Sequence, residues 1–304
     1  MSRFYSNGKL LLTGEYVVLD GALSLAIPTI YGQSLSIQNT ANKGISWKSY
    51  DHENSIWFDG KLDITALKDR YNDDQVLKGL FDLLICAKQL NPNFLADEPS
   101  IEVETHLTFN RNWGLGSSST LINNIASWAE VDAYELLTKT FGGSGYDIAC
   151  AQHDKPILYQ IVNAQPTVEE VEFRPSFSNH LYFVYLNQKQ KSDKEVNRYS
   201  EIELDKRLRV VPEINAITAA IYNTNTLKDF SELITKHETI IGSLIEQEPV
   251  KKKLFSDFND SIKSLGAWGG DFVLVATEND PKNYFESKGF HTILRYDDLI
   301  KKAP

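Results

Sequence analysis

Cysteine is scarce: Cys86 and Cys150 are the only two in 304 residues, and they form no Cys-x-x-Cys pair and no His/Cys cluster. The chain therefore carries no sequence signature of a zinc site or a disulfide framework, and free thiols in a reducing compartment are the simplest expectation. Positive charge is in deficit, with 31 Lys and Arg against 41 Asp and Glu and a formal net charge of −10. Non-specific partners such as nucleic acid or an acidic membrane need a basic surface, so both are excluded as expected partners. If a polyanion binds, local groups must hold it: backbone amides at helix starts, a few lysines or a divalent cation. Long apolar runs are missing too. In "MSRFYSNGKLLLTGEYVVLDG", Lys9, Glu15 and Asp20 interrupt the apolar residues before a signal-peptide core or a membrane span is complete. A soluble, cytoplasmic, unprocessed protein is expected. Internal repeats and low-complexity tracts are absent. So are the G-x-x-x-x-G-K-[ST] phosphate loop and the G-x-G-x-x-G dinucleotide fingerprint.

What is present is a globular composition, with 42% hydrophobic and 11% aromatic residues. The length allows one or two cores, and two are expected, residues 1–160 and 161–304. The first third reads as strands and hairpins: "KLLLTGEYVVL", "LSLAIPTIYGQSLSIQ", "GISWKSY" and "NSIWFDG". Val76, Leu77, Leu80, Leu83, Leu84, Ala87 and Leu90 recur at three- and four-residue intervals behind Asp73 and Asp74, which predicts a helix. "SIEVETHLTF" alternates as a strand should, and 118–140 reads as helix. Strand-like pieces follow near 168–173 and 180–186, with helical patterns at about 193–222, 227–246 and 250–264. "LGAWGGDFVLVATE" and "FHTILRY" close the chain. Strands mixed with helices in both halves indicate an α+β protein.

One stretch between a strand and a helix carries chemistry: "NWGLGSSST", with Gly114, Leu115, Gly116, Ser117, Ser118 and Ser119. A helix N-terminus leaves about four N–H groups without intrahelical partners and carries roughly half a positive charge. Glycines there let backbone approach an anion closely, and serines offer hydroxyls to phosphate or to Mg²⁺. The same residues also make an ordinary serine-capped helix start, so the turn alone does not decide between them.

Two further stretches add weight: "NGKLLLTGEYVVLDGA" near the start and "SLGAWGGDFVLVAT" near the end. Read in order, the three resemble the GHMP small-molecule kinases over nearly the whole chain. Gly8, Lys9, Gly14 and Glu15 match the family's opening motif, residues 114–118 its G-L-G-S-S motif, and Gly266 to Gly270 its late glycine loop. "GGSGYDIACA" is similar to the segment that carries the catalytic aspartate, here Asp147. "GAWGGDF" is similar to the G-A-G-G-G-D-C of phosphomevalonate kinases, so the mevalonate kinase and phosphomevalonate kinase branch is the best match. The resemblance implies two α+β lobes with the active site in the cleft between them, the first with a left-handed βαβ unit and the second ferredoxin-like.

It also implies ATP and Mg²⁺ as cofactors. In that scheme residues 114–119 wrap the phosphates, and a serine, Ser118 or its neighbour Ser117, reaches Mg²⁺. Asp147 takes or orients the acceptor's proton, and Lys9 lies between Asp147 and the γ-phosphate. Glu15, Arg111, Ser192, Gly269 and Gly270 fall at candidate substrate contacts. Glu135 is the one candidate for the family's metal-binding glutamate. The chain departs from the pattern at "NRNW" before the glycine turn, at Trp268 in place of a glycine, and in the short spacing from the serines to Asp147. The expected activity is γ-phosphoryl transfer to mevalonate or phosphomevalonate, in isoprenoid precursor synthesis. Two alternatives stay open: a non-catalytic nucleotide- or metabolite-binding protein on the same fold, or a kinase for homoserine or a sugar. The partner is a small-molecule acceptor, and the chain is a monomer or homodimer.

Overall fold

The structure, a computed structural model, describes residues 1–65, 71–97, 99–190 and 192–301; of residues 192–194 only the backbone is described. Contacts divide the chain into two compact units. One comprises Met1–Gly8, Tyr31–Arg111 and Leu115–Gln152, the other Lys9–Ile30, Asn112–Gly114 and His153–Pro304. The chain thus passes between units several times, because β1 (Ser2–Leu11) and β2 (Ser24–Asn39) each contribute one end to either unit.

In the first unit β2 is followed by β3 (Gly44–Tyr50), β4 (Ile56–Leu62) and β5 (Ser100–Leu107), in the spatial order β4-β3-β5-β2. Strands β3 and β5 pair in parallel, Ile45 beside Ile101 and Trp47 beside Val103, and β5 pairs antiparallel with β2. The alternation seen in the sequence points Ile45, Trp47, Ile101 and Val103 to one face. Helices cover that face. Leu80, Leu83, Leu84 and Ala87 come from α1 (Gln75–Leu90), whose first N–H groups are capped by Asp74 as expected. Ile122, Ile125 and Ala126 come from α2 (Ser117–Ala129), Leu136 and Leu137 from α3 (Ala133–Thr140), and Ile148 from α4 (Tyr146–Gln152).

The single helix expected over 118–140 is two. Glu130 turns left-handed at φ 54° and ends α2, and Asp132 then caps α3 by accepting from the Glu135 N–H at 2.8 Å. A local capping residue outweighs the apolar periodicity that runs across the break.

Buried amides fix α2. Asn124 accepts from Ser6 Oγ at 2.8 Å and donates to the Gln33 carbonyl at 2.9 Å. Asn123 donates to Ser6 Oγ and accepts from Gln152 on α4, both at 2.9 Å. These bonds hold the helix start beside β1, β2 and α4.

The second unit differs from expectation near its start. "TGEYVVL" is no strand: Gly14 and Tyr16 adopt φ 88° and 66°, and Val17–Asp20 form a 3₁₀ turn. Left-handed residues break an extended run, and Val17, Tyr16 and Ala22 gain burial instead among Tyr199, Ile214, Ile241, Ile245 and Trp268. Strands β6 (Ile157–Val162) and β7 (Gln165–Glu170) form a hairpin beside the first residues of β2. The helix expected over 193–222 divides into α5 (Ser192–Ser200) and α6 (Leu204–Asn223), followed by α7 (Leu227–Leu244). The pattern at 250–264 resolves into the short α8 (Val250–Leu254) and a strand, β9 (Ser261–Ser264).

Strands β8 (Leu181–Tyr185), β9, β10 (Phe272–Ala276) and β11 (Ile293–Arg295) form an antiparallel sheet in the order β11-β8-β10-β9. Helices α5–α8 lie between β8 and β9 in sequence, and α9 (Lys282–Ser287) lies between β10 and β11 before the closing α10 (Tyr296–Leu299). This is the βαββαβ order of a ferredoxin-like unit. Its core packs Tyr182, Val184, Val273 and Val275 against Phe255 and Phe285. Among the described residues no helix is long and apolar enough to cross a membrane.

Replacing Asn124 by Ala strips the Ser6 hydroxyl and the Gln33 carbonyl of a buried partner, at about 1–3 kcal/mol for each orphaned group. Urea denaturation of Asn124→Ala is expected to show a loss of at least about 2 kcal/mol, whereas an exposed-site control such as Thr138→Ala stays within about 0.5 kcal/mol.

Candidate active site

The glycine turn ends on a helix that nothing caps. Gly116 occupies the N-cap of α2 at φ 89°, without a side-chain cap, and Gly114 is also left-handed at φ 67°. Two of the four following hydroxyls turn inward: Ser119 donates to the Gly116 carbonyl at 2.9 Å, and Thr120 donates to Gln33 Oε1 at 2.7 Å. Leu115 is fully buried and anchors the turn. Ser117 is half-buried and Ser118 exposed, and among the described residues neither hydroxyl makes a hydrogen bond. The result is a set of uncapped amides with two free hydroxyls at the positive end of a 13-residue helix.

Asp147 stands in the first turn of α4, one residue inside the helix rather than at its cap. A carboxylate there is favoured by the helix dipole. On neighbouring α3, burial pushes the Tyr134 phenol up to about 12, with smaller contributions from Cys150, Asp132 and Asp147. Glu135 lies half-exposed on α3, 3.7 Å from Lys139 across one helical turn. No group of three or more His, Cys, Asp or Glu side chains is placed to hold a metal ion among the described residues. Arg111 lays its guanidinium 3.5 Å over the ring of Trp57, where burial lowers its pKa and Asp51 opposes the shift.

In the second unit, Lys9 is half-buried near the end of β1. Glu15 lies at 1% exposure with its Oε1 on Lys263 Nζ, itself completely buried. Lys263 also donates to the Ser264 carbonyl at 2.8 Å. His237 closes the cluster: its Nε2 accepts from the Gly14 N–H at 2.9 Å and sits 3.5 Å from Glu15 Oε2. Glu238 accepts from Ser264 N and Oγ at 3.1 and 2.9 Å and from Val250 N at 3.3 Å. Burial pushes Glu15 up to about 7, against the pull of Lys263. Burial and the Lys263 charge hold His237 well below its ordinary value, so it is neutral. The turn is tied at each of four residues, since Thr218 donates to Thr13 Oγ1 at 2.9 Å and the Trp268 N–H donates to Tyr16 Oη at 3.0 Å.

The late glycine loop lies within the same unit. A Cβ on Gly270 would fall 2.4 Å from the Gln188 carbonyl, and one on Gly269, at φ 95°, 3.0 Å from Gln190 Nε2. Trp268, the departure from the family pattern, is buried among Tyr16, Ile241 and Ile245 and packs on Gly242. The side chain of Ser192, whose backbone opens α5, lies outside the described residues. Sequence reasoning passed over Lys263, His237, Trp57 and Asp271. Of these only Asp271 left a trace, a carboxylate directly behind the glycine pair of "GAWGGDF".

Neither a protein-family model nor a curated protein sequence matches this chain. Solved structures do. The Methanococcus jannaschii mevalonate kinase is 16% identical with a TM-score of 0.71, covering 99% of this chain and 98% of its own. Streptococcus pneumoniae phosphomevalonate kinase, in complex with phosphomevalonate and AMPPNP, is 18% identical with a TM-score of 0.70, covering 97% and 100%. Lactococcus lactis galactokinase complexed with galactose is 12% identical with a TM-score of 0.68, covering 99% and 95%. The chain has the GHMP kinase fold.

Glu15 and His237 make opposite demands on pH. Glu15 carries a folded pKa of about 7 against an ordinary 4.5. Its contribution is therefore fully present below pH 4.5 and lost as pH rises to 7. His237, held below its ordinary 6.5, contributes above that pH and less as pH falls. Between 4.5 and 6.5 the two offset one another. Thermal melts of Glu15→Gln are expected to show stability falling toward acid, and those of His237→Gln stability falling toward pH 7. Each slope is about 1.4 kcal/mol per pH unit at most. The unsubstituted chain should be flatter than either.

Proposed function

We propose that this protein is an ATP-dependent kinase that transfers the γ-phosphoryl group to mevalonate or phosphomevalonate. The observation that carries the reading is the uncapped start of α2, with left-handed Gly114 and Gly116 and the unbonded hydroxyls of Ser117 and Ser118. Phosphoryl transfer asks a protein mainly to position two reactants and neutralise charge, and such a helix start supplies fixed donors for phosphate oxygens. The likeness in fold to kinases for mevalonate, phosphomevalonate and galactose supports the same class of chemistry.

In this reading residues 114–119 bind the ATP phosphates. The Ser118 hydroxyl, with Ser117 beside it, fits a Mg²⁺ that keeps most of its ligands as water and phosphate oxygens, an arrangement usual for this ion. Bound there, Mg²⁺ would neutralise charge on the phosphates. Glu135, engaged with Lys139, is the weaker candidate for a carboxylate ligand. Asp147 accepts or orients the acceptor's proton, and Lys9 stabilises the negative charge that develops on the transferred group. Arg111, Ser192, Gly269 and Gly270 belong to the acceptor side. Glu15, buried on Lys263, serves by holding the Gly14 turn. Cations near the acceptor, with Arg111, Lys189 and Arg198 as candidates, favour phosphomevalonate, whereas an Asp147 base favours the alcohol of mevalonate. The burial of Trp268 in the core weakens the case for a non-catalytic relative, because that side chain does not narrow a ligand site.

Incubation with ATP, Mg²⁺ and a panel of mevalonate, phosphomevalonate, homoserine and hexoses is expected to release ADP with one of the first two. Asp147→Asn should lower that rate by about 10²–10⁴-fold. A rate no higher than that of Asp147→Asn on every acceptor would overturn the reading for those substrates. MgATP at 100 times its dissociation constant should add about 2.7 kcal/mol to the folded state, read as a raised melting temperature. The increment should shrink when Gly116 is replaced by Val.

A further inference from the structure

The buried amides of the first unit form one directional chain, which starts at the glycine turn and ends on the helix that carries Asp147. The Thr120 N–H donates to the Gly116 carbonyl at 3.0 Å, and the Thr120 hydroxyl to Gln33 Oε1 at 2.7 Å. From the Gln33 carbonyl the chain runs through Asn124, Ser6 and Asn123 to Gln152, the last residue of α4, in steps of 2.9, 2.8, 2.9 and 2.9 Å. Thr120, Gln33, Asn124, Ser6 and Asn123 are buried, and Gln152 is exposed at the helix end.

A backbone carbonyl can only accept, and this fixes every later member in turn. Asn124 must turn its NH₂ to Gln33, which leaves Oδ1 for the Ser6 hydroxyl. Ser6, having donated its one proton, accepts from Asn123 Nδ2, and Asn123 Oδ1 is left facing α4. Position 152 must therefore supply a donor. Flipping either Asn would set two acceptors against each other.

Part of this has an ordinary explanation, since Asn124 satisfies the Gln33 carbonyl and a buried acceptor needs a donor. The extension to α4 is not covered by it. Asn123 takes a further amide out of water to reach a second helix, where apolar side chains of similar volume would pack at less cost. Apolar packing lacks direction: it tolerates small shifts of register that a chain of short bonds does not. Both helices so joined begin with candidate groups. Ser117 and Ser118 open α2, and Asp147 stands in the first turn of α4.

We propose that Gln152 is a positioning residue for phosphoryl transfer: as the donor that closes the chain on Asn123, it fixes the register of α4 against α2 and with it the placement of Asp147 relative to the phosphate turn. The proposal rests on the reading of residues 114–119 as that turn and of Asp147 as the group that takes the acceptor's proton. Gln152 touches no reactant and acts through the two helices. A misplacement of about 1 Å at reacting groups can cost about 10²-fold in rate, so one bond that sets register has a large effect on transfer.

The test replaces Gln152 in the full-length chain by Lys, Glu and Met. Lys keeps a donor, Glu at neutral pH offers only acceptors, and Met fills similar space with neither. Gln152→Glu and Gln152→Met are expected to lower kcat by about 10–10²-fold, with KM for MgATP changing far less, and Gln152→Lys to recover most of the loss. Amide spectra without nucleotide should show Gly116, Ser117 and Thr120 displaced in the first two variants and restored in the third. A protonated carboxyl donates, so the melting temperature of Gln152→Glu should approach that of the unsubstituted chain as pH falls through about 4.3, while that of Gln152→Met does not. Equal kcat values for Gln152→Lys and Gln152→Glu would overturn the proposal, as would unmoved Gly116 and Ser117 amides in Gln152→Glu. A merely structural role would lower the melting temperature and the active fraction and leave kcat per folded molecule unchanged, which also overturns it. If the unsubstituted chain turns over no acceptor, the kinase reading fails, and the amide spectra and acid melts still decide whether Gln152 sets the register of α2. Should Gln152→Glu not fold, Gln152→Met against Gln152→Lys carries the same comparison.

Discussion

The second unit is organised around an ion pair with no access to water, Glu15 with Lys263. Desolvating two charges costs more than most single contacts return, and such a pair persists only when the groups around it are arranged for it. Here Gly14 donates to a neutral His237, Glu238 takes up the neighbouring strand's amide and hydroxyl, and Lys263 makes a second bond to backbone. Once formed, the cluster leaves the chain little freedom. The turn after β1, the end of β9 and the inner face of α7 must all meet at one point. Tyr16 and Trp268 extend the same constraint to the late glycine loop.

Phosphate chemistry needs backbone donors and cations that do not reorganise when the ligand arrives. Rigid surroundings supply that. In the first unit α2 is held by a buried amide network on Ser6, Gln33 and Gln152, so its free N-terminal amides keep their direction without a side-chain cap. In the second, Lys9 lies within β1 two residues before its end, and Asp271 follows the glycines that press on Gln188 and Gln190. Half of the candidate groups lie in loops, and the turn at Thr13–Tyr16 is tied by buried bonds to helices and a strand.

The local geometry of the candidate glycine turn was legible because its signals are local. Glycines that must turn left-handed, serines that open a helix and a lysine near a strand end can be read within a few residues of one another, and the structure places Gly114, Gly116, Ser117 and Ser118 as such signals require. The strands β3 and β5 and the helix α1 were equally plain, since period-two and period-3.6 patterns are strong there. Reading failed where a single residue outweighed a pattern. Glu130 and Asp132 broke one long apolar stripe into α2 and α3, and left-handed Tyr16 turned "YVVL" from strand to 3₁₀ turn.

The sequence by itself determined the class of fold, the glycine turn before a helix, and the order of segments that resembles a kinase family. All of these depend on short-range sterics and hydrogen bonding. Only the tertiary structure decided what becomes of the charges. Nothing local in "SIKS" says that Lys263 is the partner of a glutamate 248 positions earlier. Nor does "GGDF" reveal that the Asp271 carboxylate lies against Gly114. For Glu15 and His237 burial, not sequence neighbourhood, sets the direction of the pKa shift. Burial in turn exists only once distant segments have packed.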